Sequence, residues 1–206
     1  MQIDTEHLHY WMQAIRNSKD PMRTMDAFWS GQLKSKEWLI DSLDFVVHPI
    51  VNPKPNYITI HGGWVGVLAS MLFQSNIPVE KIVSVDVDPE CEPIATMMNK
   101  LEGMQERFTA VTSDMCYTPA EGDIVINTSC EHITQEQYDI WLKNQIVKDD
   151  ALIVLQSNNY PIEEHVRQAE NLQHFKEQCH LGNVLYAGEM KLHLYTRFMV
   201  IGKKYV

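Results

Sequence analysis

Residues 57–72 read YITIHGGWVGVLASML. A β-branched, apolar run ends at His61, and an apolar helix-like run starts near Val65. Between them stand Gly62, Gly63, Trp64 and Gly66. Adjacent glycines without Cβ atoms permit a tight turn and let a ligand approach the backbone. Gly66 lets the next helix pack close to the strand, and that helix start presents free N–H groups to a carboxylate or phosphate. Strand, glycine turn and helix in this order open an α/β unit.

Working outward, the chain on the C-terminal side repeats the alternation. KIVSVDVD, FTAVTSD, DIVINTS and ALIVLQSN read as strands rich in Ile and Val. Helices are expected over residues 65–74, 92–101 and 134–142, and a long one over 162–180. Strands spaced by helices pair in parallel through right-handed crossovers. The end, VLYAGEMKLHLYTRFMVIGKKYV, reads as two strands forming an antiparallel hairpin.

On the N-terminal side, residues 4–45 read as three helices. Leu8, Trp11, Met12 and Ile15 recur at helical spacing, Pro21 opens a second helix, and Ser35 is a candidate N-cap for a third. VVHPIVNPKPN (residues 46–56) holds three prolines and breaks the pattern. This divides the chain into a helical segment at 1–54, packed as a cap, and an α/β domain at 55–206.

The 206 residues are 45% hydrophobic and 21% charged, ordinary globular proportions. No apolar run approaches the roughly 18 residues of a membrane span. MQIDTEHLHYWMQ has no basic start leading into an apolar core, as a secretory signal would. Cys91, Cys116, Cys130 and Cys179 are widely spaced with no CxxC pair, which points to reduced, buried thiols in a cytoplasm. A formal charge of −10 opposes binding to nucleic acid, so a small molecule is the favoured partner.

In an open parallel sheet, ligands sit beyond the carboxyl ends of the strands. The candidate contacts are therefore the residues at and just past each strand end. His61, Gly62, Gly63, Trp64 and Gly66 stand at the end of the first. Asp86 and Val87 end the second; Asp86 lies 20 residues past Gly66 (86 − 66), the offset at which a carboxylate reaches a ribose diol. Ser113, Asp114 and Met115 come after the third, an acid and an apolar side chain suited to an adenine amine and ring. Asn127, Thr128, Ser129, Cys130, Glu131 and His132 come after the fourth.

A glycine turn, an acid ending the second strand, an Asp after the third and polar residues after the fourth together resemble the class I S-adenosylmethionine-dependent methyltransferase family. The resemblance covers roughly residues 55–206. SVDVDPE is a close match to that family's second motif, and IHGGWVG a looser match to its first. It implies a Rossmann-like, doubly wound, mostly parallel seven-stranded sheet with an antiparallel C-terminal hairpin, and S-adenosylmethionine as cofactor. Gly62, Gly63 and Gly66 would lie beneath the methionine part, with His61 and Trp64 beside them. Asp86 would hold the ribose, Val87 and Met115 would pack on the adenine with Asp114, and Asn127 would line the floor near the transferred carbon.

The acceptor side is less defined. NTSCEH lacks the Asn/Asp-Pro-Pro-aromatic run of family members that methylate base amines. Positioning supplies much of a sulfonium methyl transfer, and His132 or Glu131 is placed to take a proton if one must leave. His132 serves equally as a residue at a helix start. SNNYPIEEH after the fifth strand either lines the acceptor pocket through Asn158, Asn159, Tyr160 or His165, or caps the next helix. The pairs His7/His9 and His174/His180 have no companions at ligand spacing, so no metal site is expected. Two rivals stand beside methyl transfer: aminocarboxypropyl transfer from the same sulfonium, and a non-catalytic scaffold that kept the fold.

Overall fold

The computed structural model describes residues 4–47 and 56–204, and the proline-rich junction falls mostly outside them. Three helices come first: α1 (Thr5–Asn17), α2 (Pro21–Asp26) and α3 (Ser30–Val47). Next come β1 (Asn56–His61), α4 (Val67–Phe73), β2 (Val79–Asp86), α5 (Cys91–Met98), α6 (Lys100–Met104) and β3 (Phe108–Thr112). The rest is β4 (Ile124–Asn127), α7 (Gln135–Asn144), β5 (Leu152–Asn158), α8 (Leu172–Cys179), β6 (Asn183–Lys191) and β7 (Thr196–Lys203). The sheet order is β3-β2-β1-β4-β5-β7-β6. β1 to β5 run parallel, and β7 is antiparallel to both β5 and β6.

The central strands are buried on both faces, which is why they read as continuous Ile/Val runs. Ile124 and Ile126 of β4, with Leu152 and Val154 of β5, face a core shared with Trp11, Leu39, Leu43, Leu68 and Met98. Their alternates Val125, Ile153 and Leu155 face a second core with Tyr138, Trp141 and Phe175. The period-2 alternation of side chains thus makes three layers, α1, α3, α4 and α5 on one face and α7 and α8 on the other. The N-terminal helices belong to the main core: the Trp11 indole donates to Ser70 Oγ of α4 at 2.9 Å. All four cysteines are free and buried, as expected. No helix among the described residues is long and apolar enough to cross a membrane.

Three local expectations fail for tertiary reasons. In α1 the buried face is Trp11 and Ala14, while Leu8 and Met12 are exposed. Ser35 caps nothing; α3 begins at Ser30, and Ser35 is buried within it, donating to Gln156 Oε1 at 3.2 Å. The long helix shrinks to α8, because the preceding segment spends its backbone N–H groups elsewhere. Arg167 N donates to Glu131 O (3.1 Å) and Ala169 N to Asn158 O (3.4 Å), bonds to strand exits that a helix would forbid.

Candidate functional site

Parallel register brings the predicted residues to one edge. His61 pairs with Val85 of β2 on one side and Asn127 of β4 on the other, and Asp86 pairs with Thr112 of β3. The exits of β1 and β4 flank the point where strand order reverses, where such sheets open a crevice.

The glycine turn is held from below. Gly63 N donates to Val85 O at 3.1 Å, and Gly66 N to Gly63 O at 3.1 Å. Asp86 then clasps the turn: its Oδ2 accepts from Trp64 N at 2.8 Å and its Oδ1 from Asp88 N at 3.0 Å. Trp64 has φ 47, the left-handed region, which costs an L-residue roughly 1–2 kcal/mol. A hydrogen bond to a carboxylate is of the size needed to offset that. The Trp64 side chain packs against the main core.

Gly66 has φ 80 and starts α4; a Cβ there would fall 2.6 Å from Asn99 Nδ2, which donates to Gly66 O at 3.1 Å. At Gly63 a Cβ would fall 1.9 Å from Ser84 Oγ, and at Gly62 one would fall 2.4 Å from Ser129 Oγ. These glycines therefore let the turn close on its own protein neighbours, a task distinct from admitting a ligand.

His61 is fully buried, and its Nδ1 accepts from Trp141 Nε1 at 2.8 Å. The ring proton accordingly sits on Nε2, which has no hydrogen-bond partner. Burial lowers the imidazole to about 4, against a smaller opposite push from the Thr118 backbone, so His61 is neutral at neutral pH. Asn127 is also fully buried; its Oδ1 accepts from Ser129 N at 2.9 Å and its Nδ2 meets Met115 Sδ at 3.5 Å. Both ends of that amide are committed to shaping the loop. Val87 is 70% exposed beside Asp86, an apolar surface at the second strand exit. Asp114 is exposed and turns the backbone by accepting from Cys116 N at 2.8 Å. Asp88, just before α5, accepts from Glu90 N at 2.9 Å and pairs with Arg23 of α2 at 2.6 Å. Those two contacts, the backbone bond first, hold its carboxyl below the usual range and tie the helical cap to the site.

The other half of the edge is built by β4, β5, β7 and α3. Cys130–His132 form one turn of 3-10 helix, with Glu131 buried and His132 exposed. Glu131 Oε1 accepts from Asn158 Nδ2 at the end of β5. Arg167 is buried over the Tyr138 ring and donates to Gln135 Oε1 (2.8 Å) and Cys130 O (2.9 Å). Arg197 is buried too, donating to Gln156 Oε1 (3.2 Å) and Thr128 O (2.9 Å). Lys36 of α3 is only partly covered, yet desolvation pushes its ammonium down to about 7, with repulsion from Arg197 adding to it. Neither Lys36 nor Arg197 has a carboxylate partner among the described ion pairs.

Lys36, Arg167 and Arg197 escaped the sequence reading, as did the Trp141–His61 bond. A signal existed for Arg197: it is the one charge inside the apolar run YTRFMVIG. Lys36 and Trp141 carry no such mark, because their partners lie on other elements. The two histidine pairs considered for metal do not converge. His7 bonds Glu102 at 2.7 Å and His180 bonds Asp139 at 3.0 Å, each tying elements together.

By sequence the chain matches no protein-family model and no curated protein. By structure it is similar to magnesium protoporphyrin IX methyltransferase (ChlM) from Synechocystis PCC 6803 with bound SAM. The TM-score is 0.63 at 12% identity, over 98% of this chain and 92% of that one. It is similar as well to geranyl diphosphate methyltransferase in complex with GPP and sinefungin, with TM-score 0.63 at 10% identity, over 84% and 79%. The [4+2]-cyclase SpnF aligns with TM-score 0.62 at 11% identity, over 81% and 82%. Identities this low speak for the fold alone, and one of these three proteins is a cyclase, so fold does not dictate reaction. Sheet order, terminal hairpin and these likenesses agree: the chain has the class I S-adenosylmethionine-dependent methyltransferase fold.

Proposed function

We propose that this chain binds S-adenosylmethionine across the exits of β1 and β2 and transfers its methyl group to a small-molecule acceptor. The observation that carries the reading is Asp86, which clasps the glycine turn at the switch point of the sheet. Each of its carboxylate oxygens has one backbone partner and a second lone pair to offer a ribose hydroxyl. Val87, Asp114 and Met115 supply a surface for the adenine next to it, and Gly62, Gly63 and Gly66 shape the turn on which the methionine part rests. Trp64 holds that turn to the core, and the buried His61 supports it from beneath. Asn127 acts by holding the loop that ends in Glu131 and His132. Of those two, the exposed imidazole of His132 is the one able to meet an acceptor.

Lys36 and Arg197 point to the class of acceptor. Two cationic groups near one another and without carboxylate partners, Arg197 buried and Lys36 partly so, favour a ligand bearing a carboxylate or phosphate.

Isothermal titration with S-adenosylmethionine and S-adenosylhomocysteine tests the reading, with Asp86→Ala alongside. Binding by the wild type that is lost in the variant is the expected result. No binding by the wild type refutes it and leaves the scaffold reading. Turnover that releases methylthioadenosine in place of S-adenosylhomocysteine would transfer the site to the aminocarboxypropyl class.

A further inference from the structure

Residues from two strand exits meet at the carboxyl edge: Glu131 and His132 after β4, and His165 after β5. One ligand atom from each lies within 4.8 Å of the others. The His132 and His165 rings meet edge to face, centroids 4.8 Å apart and planes at 82°. We propose that Glu131, His132 and His165 form a binding site for a divalent first-row transition-metal ion.

Two independent features point to an ion. Glu131 is only 3% exposed, and its Oε2 is buried with no hydrogen-bond partner. A carboxylate oxygen in that state is costly unless a cation meets it. The nearby guanidinium of Arg167 does not; it is spent on Gln135 Oε1 and on the carbonyls of Cys130 and Gln178. The second feature is the support behind the ligands. His165 Nδ1 bonds Tyr160 O at 2.8 Å, and since a carbonyl only accepts, Nδ1 holds the proton and Nε2 is left with its lone pair free. Asn158 donates to Glu131 Oε1 while its own Oδ1 accepts from Tyr160 N at 2.8 Å. One short chain of hydrogen bonds thus orients both the carboxylate and the imidazole, the arrangement that accompanies metal ligands.

Ligands sharing an ion at about 2.1 Å lie roughly 3.4 Å apart in a tetrahedral site, so a modest rotation of the exposed His132 closes the set. Two imidazoles and a carboxylate select Mn, Fe, Co, Ni or Zn over Mg and Ca. Three protein ligands leave a position open for an oxygen donor. Under the methyltransferase reading that donor is an oxygen of the acceptor, whose proton the ion makes easier to lose to solvent; the oxygen then bonds the methyl carbon as the sulfonium S–CH3 bond breaks, and S-adenosylhomocysteine leaves. The ion then takes over from His132 the task of activating the acceptor. The metal site itself does not depend on that reading.

The test is a titration of tag-free, chelator-treated full-length protein with Co(II), monitored by visible absorption, and with Zn(II) by calorimetry. One equivalent should bind to the wild type, with affinity reduced at least 100-fold in His132→Ala and in His165→Ala. Both variants alter side chains that reach the surface, and circular dichroism verifies their fold. His174→Ala should bind as the wild type does. Absence of stoichiometric binding overturns the proposal, and so does wild-type affinity in His132→Ala and His165→Ala. Titrating the same samples with S-adenosylhomocysteine separates the readings, because loss of one binding event leaves the other measurable.

Discussion

The backbone N–H of Trp64 donates to Oδ2 of Asp86 at 2.8 Å, across 22 residues of chain. This bond joins the turn after β1 to the end of β2, so the two halves of the candidate cofactor site are one mechanical unit.

Asp86→Ala removes both clasps at once. The expected outcome is loss of S-adenosylhomocysteine binding by 100-fold or more, with destabilisation of about 2–4 kcal/mol from two bonds to a charged acceptor. Asp86→Asn, which keeps one acceptor oxygen, should recover part of the stability and little of the binding. Calorimetry and urea unfolding read the two effects separately. Unchanged binding in Asp86→Ala would remove Asp86 from the site.

Gly63→Ala forces a Cβ to within 1.9 Å of Ser84 Oγ. It should destabilise by about 1–3 kcal/mol, the usual size of an overpacking effect. Ser84→Ala in the same chain deletes the clashing oxygen but leaves its Cβ 3.2 Å away, so most of the loss, though not all, should be regained. A double variant no more stable than Gly63→Ala would show that the glycine is needed for another reason.

His61 makes the fold sensitive to acid. Its folded value of about 4 lies below the ordinary 6.5, so the unfolded chain takes up a proton that the folded chain refuses. Above pH 6.5 this has no effect on stability; from 6.5 down to 4 the fold loses up to about 3 kcal/mol at this position. Proton NMR should find the His61 ring signals fixed between about pH 8 and 5. Movement with a midpoint near 6.5 would contradict the buried, neutral ring.

Lys36 behaves in the same sense at higher pH. Its folded value of about 7 lies below the unfolded 10.5, so a penalty for the charged group is fully present below pH 7. That penalty fades as pH rises from 7 towards 10.5. Lys36→Met should therefore be more stable than wild type at about pH 6, with a gap that narrows by about pH 9. A gap independent of pH would mean that the ammonium is as well solvated in the fold as outside it.

Much of the fold was legible in the residues because its signals are local. Ile/Val runs such as IVIN mark strands buried on both faces, and Gly66 marks a backbone turn that other residues resist. The spacing from that glycine to Asp86 placed the acid of the candidate cofactor site, since a strand exit is a position along the chain. On the candidate acceptor side, Glu131, His132 and the loop from Asn158 to His165 were legible as strand exits, whereas Lys36, Arg167 and Arg197 were not. Leu8 and Met12 look like core but face outward, and residues 162–171 look helical, but the amides of Arg167 and Ala169 go to Glu131 and Asn158 instead.

Sequence alone determined the order of strands and helices, the glycine turn and the acid that ends β2, because periodicity and backbone preference act over a few residues. Tertiary structure decided that Asp86 holds the Trp64 amide and that His61 is locked neutral by Trp141. It also decided that Lys36 sits near Arg197, and that His165 meets Glu131 and His132. Those relations depend on parallel register and on loops folding over strand exits. They bring together residues 22 to 161 positions apart (86 − 64; 197 − 36) that no local pattern connects.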